Sequence, residues 1–214
     1  GTIGFAGPID EVQGFLIDRL IRTHVIGQDI RANERIWDIM YRAIEGHGRK
    51  GSPMQALSAV DCAIRDARGK AERLPVYQLL GGPLRHEIPA YASALGFSHE
   101  PDKLRKRAKE ITDQGYQGTK WFFRHGPGSG LEGIKKNVEL VRNVRETVGD
   151  AVDIMLDCWK SWDVRYSIAM AERIAKYRPR WLEEPVLADQ IDACAAIRRA
   201  VPFPISTGEH EYTR

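Results

Sequence analysis

Apolar residues recur at helical spacing through the first part of the chain, up to about Gly82. In residues 9–27 the positions that share one helical face are Val12, Phe15, Leu16, Leu20 and Ile21. Residues 30–44 repeat this pattern after Gly27, which marks the end of the first helix. Residues 52–82 predict a long helix, a turn and a short helix closed by a pair of glycines. The first part of the chain is therefore predicted to be mostly helical.

From Glu87 onward, strand-like and helical segments alternate. The predicted strands are residues 87–93, 119–123, 153–159, 180–185 and 203–210. The predicted helices are residues 101–115, 130–148, 164–177 and 190–201. This alternation is typical of βα units around a parallel sheet, so the fold class is α/β. With the change of rhythm near Arg85, the predicted domains are residues 1–85 and 86–214.

Three of the predicted strands end in an acidic residue, and the spacing is equal. Asp157, Glu183 and Glu209 are each separated by 26 residues. One βα unit separates each pair, so we expect all three at the carboxyl end of neighbouring strands, where barrel active sites lie. Three converging carboxylates repel one another and require a cation, and a set of oxygen ligands favours Mg²⁺ or Mn²⁺ over zinc. The alternative is that each acid separately caps the following helix.

Composition excludes several classes of protein. The 214 residues contain 32 basic and 29 acidic residues, a net charge of +3, which is too mild and too mixed to indicate a nucleic-acid partner. No apolar run approaches the roughly 18–20 residues that span a bilayer, and the first residues show no signal peptide. The three cysteines form no CxxC pair, which indicates a reducing compartment, so the expected location is cytoplasmic.

The segment SAVDCAIRDARGKAERLPVYQLLGG (residues 58–82), followed by the motifs LD, WLEEP and GEH, resembles the enolase superfamily in its mandelate racemase-like branch. The resemblance implies a modified TIM (β/α) barrel with an N-terminal α+β capping domain. Because a barrel alone needs about 250 residues, we expect both domains to be incomplete in this chain. Residues 1–85 then correspond to the remainder of the capping domain, and residues 86–214 to the first five βα units. Asp157, Glu183 and Glu209 match the family's three Mg²⁺ ligands.

The resemblance also implies a reaction, which begins with removal of the proton α to a carboxylate. The cation stabilises the enediolate that forms. Family members often carry Lys-x-Lys at the end of the second barrel strand. Here Lys120 stands at the first lysine and is a candidate catalytic residue that donates to the substrate or acts electrostatically, or else is a solvated lysine, and Phe122 stands where the second lysine would be. This favours a histidine base on a later strand, beyond Arg214. The motifs LDCW and GEH and the loop GRKG (residues 48–51) resemble acid-sugar dehydratases of the rhamnonate type.

Five further residues are candidates for the site. His210 follows Glu209 and is a candidate catalytic residue, although on a regular strand it would point away from the metal. Arg49 and Lys50 lie in a loop that could close over a barrel mouth, or be simply an exposed basic loop. Arg124 begins a glycine-containing loop, and either contacts the substrate or is solvated. Trp159, two residues past Asp157, either forms the pocket wall or packs within the barrel.

Three functional hypotheses follow. The leading one is a lyase, a Mg²⁺-dependent enzyme that dehydrates an acid sugar to a 2-keto-3-deoxy acid. The second is a racemase, epimerase or cycloisomerase of the same branch. The third is an inactive truncated fragment or binding protein, since a chain ending after five strands leaves sheet edges unpaired. For the enzymes the expected partner is a small-molecule carboxylate, and the resemblance suggests a homo-oligomer.

Overall fold

The computed structural model describes residues 1–212, which form two compact units. The first unit is Gly1–Glu87 together with the residues from His210 onward, and the second is Ile88–Glu209. The division after Glu87 lies close to the boundary predicted near Arg85. The carboxyl end differs from the predicted domain 86–214, because Tyr212 accepts a hydrogen bond from Gln55 of the first unit, at 3.0 Å between Gln55 Nε2 and the phenol oxygen.

The first unit is helical, as the sequence predicts. Its elements are α1 (Glu11–Leu16), a π-helical turn (Ile17–Ile21), α2 (Arg22–Val25), α3 (Asn33–Glu45), α4 (Ser52–Glu72) and α5 (Val76–Leu79). Asp10 caps α1 in a capping box with Gln13, in which each side chain accepts a hydrogen bond from the other's backbone N–H. The core of this unit consists of Ile21, Ile36, Met40, Ile44, Met54, Ala56, Leu57 and Ile64.

The predicted apolar face of the first helix is only half correct. Ile21 is fully buried, but Val12 and Phe15 are 55% and 62% exposed. The π-helical turn Ile17–Ile21 explains the difference. Such a turn inserts an extra residue into the helical repeat, so positions before it rotate away from the face formed by positions after it. A uniform period of 3.6 residues therefore predicts the wrong face for α1.

The second unit alternates strands and helices. Its elements are β1 (Ala92–Ser93), α6 (Pro101–Asp113), β2 (Gly118–Phe122), a 3₁₀ turn (Pro127–Ser129), α7 (Gly130–Val148), β3 (Asp153–Asp157), α8 (Val164–Ile174), a 3₁₀ turn (Ala175–Tyr177), β4 (Trp181–Glu183), α9 (Ile191–Ala200) and β5 (Ile205–Ser206). All five strands are parallel and lie in chain order, β1-β2-β3-β4-β5. This confirms the α/β class and is the strand order of a β/α barrel.

The first and last strands are much shorter than predicted. β1 covers two residues of the predicted 87–93, and β5 covers two of the predicted 203–210. Proline explains part of this shortening of the two strands, because Pro89 and Pro204 have no backbone N–H to donate within the sheet. By contrast, α7 has the predicted bounds, 130–148.

The two faces of the sheet carry different side chains. One face packs against helices α6 to α9, and its strand residues Trp121, Ile154, Leu156 and Leu182 are fully buried within that core. Side chains alternate along a strand, so residues 120, 155, 157 and 183 belong to the opposite face. The candidate metal ligands are thus on the face turned away from the helices.

A buried arginine joins the connections at the amino end of the sheet. Arg145 of α7 donates hydrogen bonds to the carbonyl oxygens of Tyr177 at 3.0 Å, Gly149 at 2.6 Å, Val152 at 2.8 Å and Arg178 at 3.2 Å. These carbonyls belong to the α7–β3 connection and to the segment before β4. One guanidinium therefore satisfies four main-chain acceptors.

Within residues 1–212, none of the helices has the length and apolar character needed to cross a bilayer.

Candidate metal centre and active site

Lys120, Asp157 and Glu183 form a compact charged cluster on the face of the sheet turned away from the helices. The Lys120 ammonium lies 3.1 Å from Asp157 Oδ2 and also donates a hydrogen bond to Glu183 Oε1. The three side chains are only 10%, 4% and 14% exposed. The sheet register explains why these three side chains are in contact. Asp157 of β3 is paired with Glu183 of β4, and Lys120 lies on the neighbouring strand β2.

Two tryptophans of the same region hold the carboxylates in place. The backbone N–H of Trp159 donates to Asp157 Oδ1 at 2.9 Å. The indole Nε1 of Trp181 donates to Glu183 Oε2 at 2.8 Å, so both oxygens of Glu183 are engaged. Trp181 was not singled out from the sequence, although a residue two positions before Glu183 on a strand necessarily shares its face.

The charges in this cluster influence one another. Burial opposes the charged form of Lys120, but its hydrogen bonds to Glu183 and Asp157 outweigh this effect and raise the pKa of Lys120. Burial also raises the pKa of Asp157, while the adjacent Lys120 acts to lower it. The ammonium therefore stays protonated and neutralises one of the two carboxylates.

Glu209 does not reach the level of the other two acids. The register places Glu183 opposite Ser206 of β5, so Glu209 lies three residues past that level, in a turn after Gly208. Within residues 1–212, Asp157, Glu183 and Glu209 do not form a three-ligand group. The register offset between β3 and β4 is 26 residues whereas that between β4 and β5 is 23, so equal spacing in sequence does not place the three acids at one level. A part for Glu209 in the metal site stays a prediction.

Glu184 connects two loops at the carboxyl ends of the strands. It is 3% exposed, accepts a hydrogen bond from the backbone N–H of Glu209 at 3.1 Å, and lies 3.4 Å from the Lys160 ammonium. Glu184 therefore forms a buried salt bridge and a main-chain hydrogen bond at the same time. Trp159, Lys160 and Glu184 all have positive φ angles, of 45°, 63° and 42°. Such backbone strain in residues other than glycine is concentrated at functional sites.

The predicted substrate residues of this unit lie near the cluster. Trp159 is 68% exposed, and the Lys160 ammonium lies 5.1 Å from its ring centre. Its left-handed backbone follows the end of β3 at Asp157, so the expectation that it continues the strand is wrong. Arg124 packs its guanidinium 5.3 Å from the ring centre of Phe122 and donates to the Phe97 carbonyl oxygen at 3.0 Å.

The remaining predicted residues belong to the first unit. Arg49 and Lys50 are exposed in the loop between α3 and α4, and the Lys50 ammonium lies 3.9 Å from the Glu211 carboxylate. His210 is half-buried in a turn. For these three residues, a part in the site stays a prediction.

The residues present fit a hard divalent cation. Asp157 and Glu183 offer buried carboxylate oxygens on neighbouring strands, and they already hold a positive group between them. Histidine and cysteine do not contribute to this cluster, and oxygen ligands of this kind suit Mg²⁺ or Mn²⁺. A divalent ion bound by these carboxylates would take over the neutralising role of the Lys120 ammonium.

Comparison with known proteins identifies the class. Residues 103–214 match the family described as enolase C-terminal domain-like, and residues 1–81 match the mandelate racemase / muconate lactonizing enzyme N-terminal domain. The chain therefore belongs to the enolase superfamily, in its mandelate racemase and muconate lactonizing enzyme branch. This confirms the resemblance identified in the sequence.

Individual relatives point to a narrower group. The chain is 38% identical to an L-rhamnonate dehydratase of Saccharopolyspora erythraea over 217 residues, which is all of this chain and 53% of the relative. The Gibberella zeae rhamnonate dehydratase, solved in complex with Mg, has a TM-score of 0.83 and 35% identity, covering 94% of this chain and 47% of that one.

A related isomerase fits equally well in shape. The 3,6-anhydro-D-galactonate cycloisomerase of Zobellia galactanivorans has a TM-score of 0.88 and 29% identity, covering 98% of this chain and 56% of that one. The chain spans about half the length of the curated relatives it matches.

Proposed function

We propose that the full-length protein is a lyase that dehydrates an acid sugar to a 2-keto-3-deoxy acid with the help of Mg²⁺. The observation that carries this proposal is the buried cluster of Lys120, Asp157 and Glu183 at the carboxyl end of a parallel sheet. Similarity to L-rhamnonate dehydratases supports the choice of an acid sugar as substrate.

The proposed chemistry divides between the cation and the chain. Bound Mg²⁺ supplies electrophilic stabilisation of the charge that develops when the α proton leaves. Asp157 and Glu183 would hold it, and Glu209 is the proposed third ligand. Lys120 keeps a positive charge beside these acids, and we assign it the role of donating hydrogen bonds to the substrate carboxylate. Trp159 and Trp181 fix the two carboxylates.

Other residues have proposed roles in binding and proton transfer. Arg124 and Trp159 would contact the substrate, and Arg49 and Lys50 are further candidates for binding it. His210 would deliver a proton to the departing hydroxyl group, because loss of water requires a general acid.

The experiment is a substrate panel. The full-length protein is incubated with Mg²⁺ and a set of aldonates and aldarates that includes L-rhamnonate, and 2-keto-3-deoxy acids are measured. We expect product from at least one acid sugar, and its loss on chelation with EDTA and recovery with Mg²⁺ or Mn²⁺. If no acid sugar in the panel yields a keto acid, the dehydratase assignment is wrong.

The second candidate is an isomerase of the same branch, and the similarity to the cycloisomerase of Zobellia galactanivorans favours it. Such an enzyme would incorporate solvent deuterium at the α carbon of its substrate without releasing water. Mass spectrometry of the panel reactions run in deuterium oxide distinguishes the two candidates. A protein that neither dehydrates nor exchanges any acid would instead support the non-catalytic hypothesis.

The proposal includes a cytoplasmic homo-oligomer acting on a small-molecule carboxylate. In the described residues Cys62, Cys158 and Cys194 are all free thiols, which is in keeping with a reducing compartment. Size-exclusion chromatography with light scattering on the full-length protein would measure its oligomeric state.

A further inference from the structure

His99 was not marked by the sequence pattern, yet its ring packs against β2, the strand that carries Lys120. It occupies the loop between β1 and α6, and its ring centre is 4.6 Å from that of Phe122. The residue is half-buried, but its Nε2 atom is buried and has no hydrogen-bond partner among residues 1–212. A buried polar atom without a hydrogen-bond partner destabilises the fold, so this one requires an explanation.

Phe122 connects His99 to the metal site. Phe122 is two residues past Lys120 on β2, so the two side chains share a face of the sheet. Its register partner on β3 is Asp157. His99 therefore packs against the side chain of a residue that is paired in the sheet with a proposed metal ligand. Two other unpartnered atoms of this unit, Thr119 Oγ1 and Trp121 Nε1, belong to the opposite face, which packs against the helices.

Arg124 completes the surroundings of this ring. Its guanidinium lies over Phe122, and its hydrogen bond to the Phe97 carbonyl holds the loop that carries His99. Phe97 packs edge-on against the buried Trp121 at 6.4 Å, and the Arg107 guanidinium of α6 lies 5.7 Å from its ring centre. The loop is thus fixed to the unit by several independent contacts, and the imidazole is held in a defined position.

The protonation state of His99 suits a hydroxyl partner. Burial, together with the charges of Arg124 and His125, lowers the pKa of His99 to about 4. At neutral pH the imidazole is therefore uncharged, with one donor and one acceptor nitrogen. A hydroxyl group both donates and accepts hydrogen bonds, so it can pair with Nε2 in either tautomer. A carboxylate only accepts, and it finds cations in Lys120 and Arg124 instead.

We propose that His99, Phe122 and Arg124 form a sub-site for the hydroxylated carbon chain of the substrate, in which His99 Nε2 hydrogen-bonds to a substrate hydroxyl. The Phe122 ring packs against the C–H groups of the same chain, and Arg124 closes the side of the sub-site. This inference rests on the proposed function, since it takes the cluster of Lys120, Asp157 and Glu183 as the end that receives the carboxylate.

The test compares two acids that both carry a carboxylate and a 2-hydroxyl group. L-Rhamnonate carries hydroxyls along its chain, whereas L-lactate has only the carboxylate and the 2-hydroxyl. Affinity is measured on the full-length protein with Mg²⁺ as a dissociation constant by calorimetry, or as KM where the acid is turned over. His99→Ala should weaken L-rhamnonate about tenfold, the loss of one well-placed hydrogen bond, and change L-lactate less than about twofold.

Three further variants separate binding from folding. His99→Gln keeps a hydrogen-bonding nitrogen at a similar reach and should restore L-rhamnonate to within about threefold of the natural protein. Phe122→Leu should weaken L-rhamnonate about threefold while leaving L-lactate unchanged. His86→Ala, at an exposed histidine, should change neither acid. Melting curves without ligand check that each variant is folded.

The outcomes are distinct. Equal weakening of both acids by His99→Ala, or unchanged L-rhamnonate affinity, overturns the sub-site. Failure of the proposed function is seen in a different measurement, because the natural protein then makes no keto acid from any acid sugar. The affinities for the two acids can still be measured and compared in that case. If the natural protein binds neither acid, the sub-site is wrong, whereas the proposed function is judged separately by the panel of acid sugars.

Discussion

The two faces of the parallel sheet in the second unit are built from alternating residues of the same strands, yet one face is apolar and the other is charged. On β3, Leu156 is fully buried against the helices, while its neighbour Asp157 points to the other side and meets Lys120. On β4, Leu182 and Glu183 repeat the contrast. One face buries apolar surface, and the other gathers charge that is costly to bury.

This contrast teaches that stability and chemistry can be separated within a single strand. The apolar face lowers the free energy of the folded state through burial. The charged face contributes a buried pair of acids that one lysine neutralises only in part. Substitutions one residue apart on a strand should therefore affect different quantities, the free energy of unfolding on one face and the catalytic rate on the other.

The largest effect is expected from Asp157→Asn. It removes a negative ligand from the proposed cation site with little change in shape, so kcat/KM should fall by about 10³-fold or more. The control is Asp153→Asn, at the other end of the same strand, where Asp153 forms an exposed salt bridge with Arg180. That control should stay within about twofold of the natural protein. Retention of full activity by Asp157→Asn would contradict the proposed metal site.

Lys120→Met should produce the next largest change, in stability. Without the ammonium, two buried carboxylates face one another, and the free energy of unfolding in EDTA should fall by about 3 kcal/mol. Added Mg²⁺ should restore most of this loss, because it replaces the missing positive charge. The measurement is urea unfolding with and without Mg²⁺.

The control for that experiment is Lys109→Met, which breaks an exposed salt bridge with Asp113 on α6. Its effect should be below about 1 kcal/mol and independent of Mg²⁺. A Lys120→Met protein that is as stable as the natural one in EDTA would show that the ammonium does not neutralise the two acids.

Leu156→Ala should lower stability and leave catalysis unchanged, the reverse of what is expected for Asp157→Asn. Leu156 is fully buried, and its truncation should lower the free energy of unfolding by about 3 kcal/mol. The kcat of the folded fraction should stay close to that of the natural protein. Chemical unfolding and steady-state kinetics measure the two quantities on the same sample. A loss of kcat comparable with that of Asp157→Asn would mean that the two faces are not independent.

The smallest effect concerns pH and His99. The ordinary pKa of histidine is 6.5, and in the folded protein burial lowers that of His99 to about 4. Between these values the unfolded chain binds more protons than the folded one, so stability is complete above pH 6.5 and is lost as the pH falls toward 4. Because His99 is partly exposed, the expected loss in the free energy of unfolding between pH 7 and pH 5 is about 1 kcal/mol.

His99→Gln should remove that part of the pH dependence. Urea unfolding of both proteins at pH 7 and pH 5 gives the difference directly. Identical losses in the natural protein and in the variant would mean that the His99 imidazole is protonated as readily in the folded state as in the unfolded one.

Much of the second unit could be predicted from hydrophobic periodicity. The bounds of α7 and the parallel order of the strands follow from local patterns that tertiary contacts reinforce. Lys120, Asp157 and Glu183 could also be placed together, because each lies at or near the end of a buried strand. Glu209 could not be placed, since its position depends on strand register, and counting residues along the chain does not determine register.

The features that escaped prediction have no periodic signal. The π-helical turn at Ile17–Ile21 changes which side chains of α1 are buried, and nothing in a regular helical pattern announces it. His99 lies in a loop, and its surroundings are set by Phe122 and Arg124, which are more than 20 residues away in sequence. Long-range contacts of this kind appear only once the fold is known.

The hydrogen bonds of Arg145 have a consequence for local opening. The same guanidinium binds carbonyls of the α7–β3 connection and of the segment before β4, so opening either connection breaks bonds to a residue that holds the other. These two connections should therefore open together as one cooperative unit. At the opposite end of the sheet, Arg124 holds the loop that carries His99, and Glu184 joins the segment of Lys160 to the turn of Glu209. Opening at the carboxyl end is therefore expected to break several separate contacts, whereas at the amino end one side chain couples both connections.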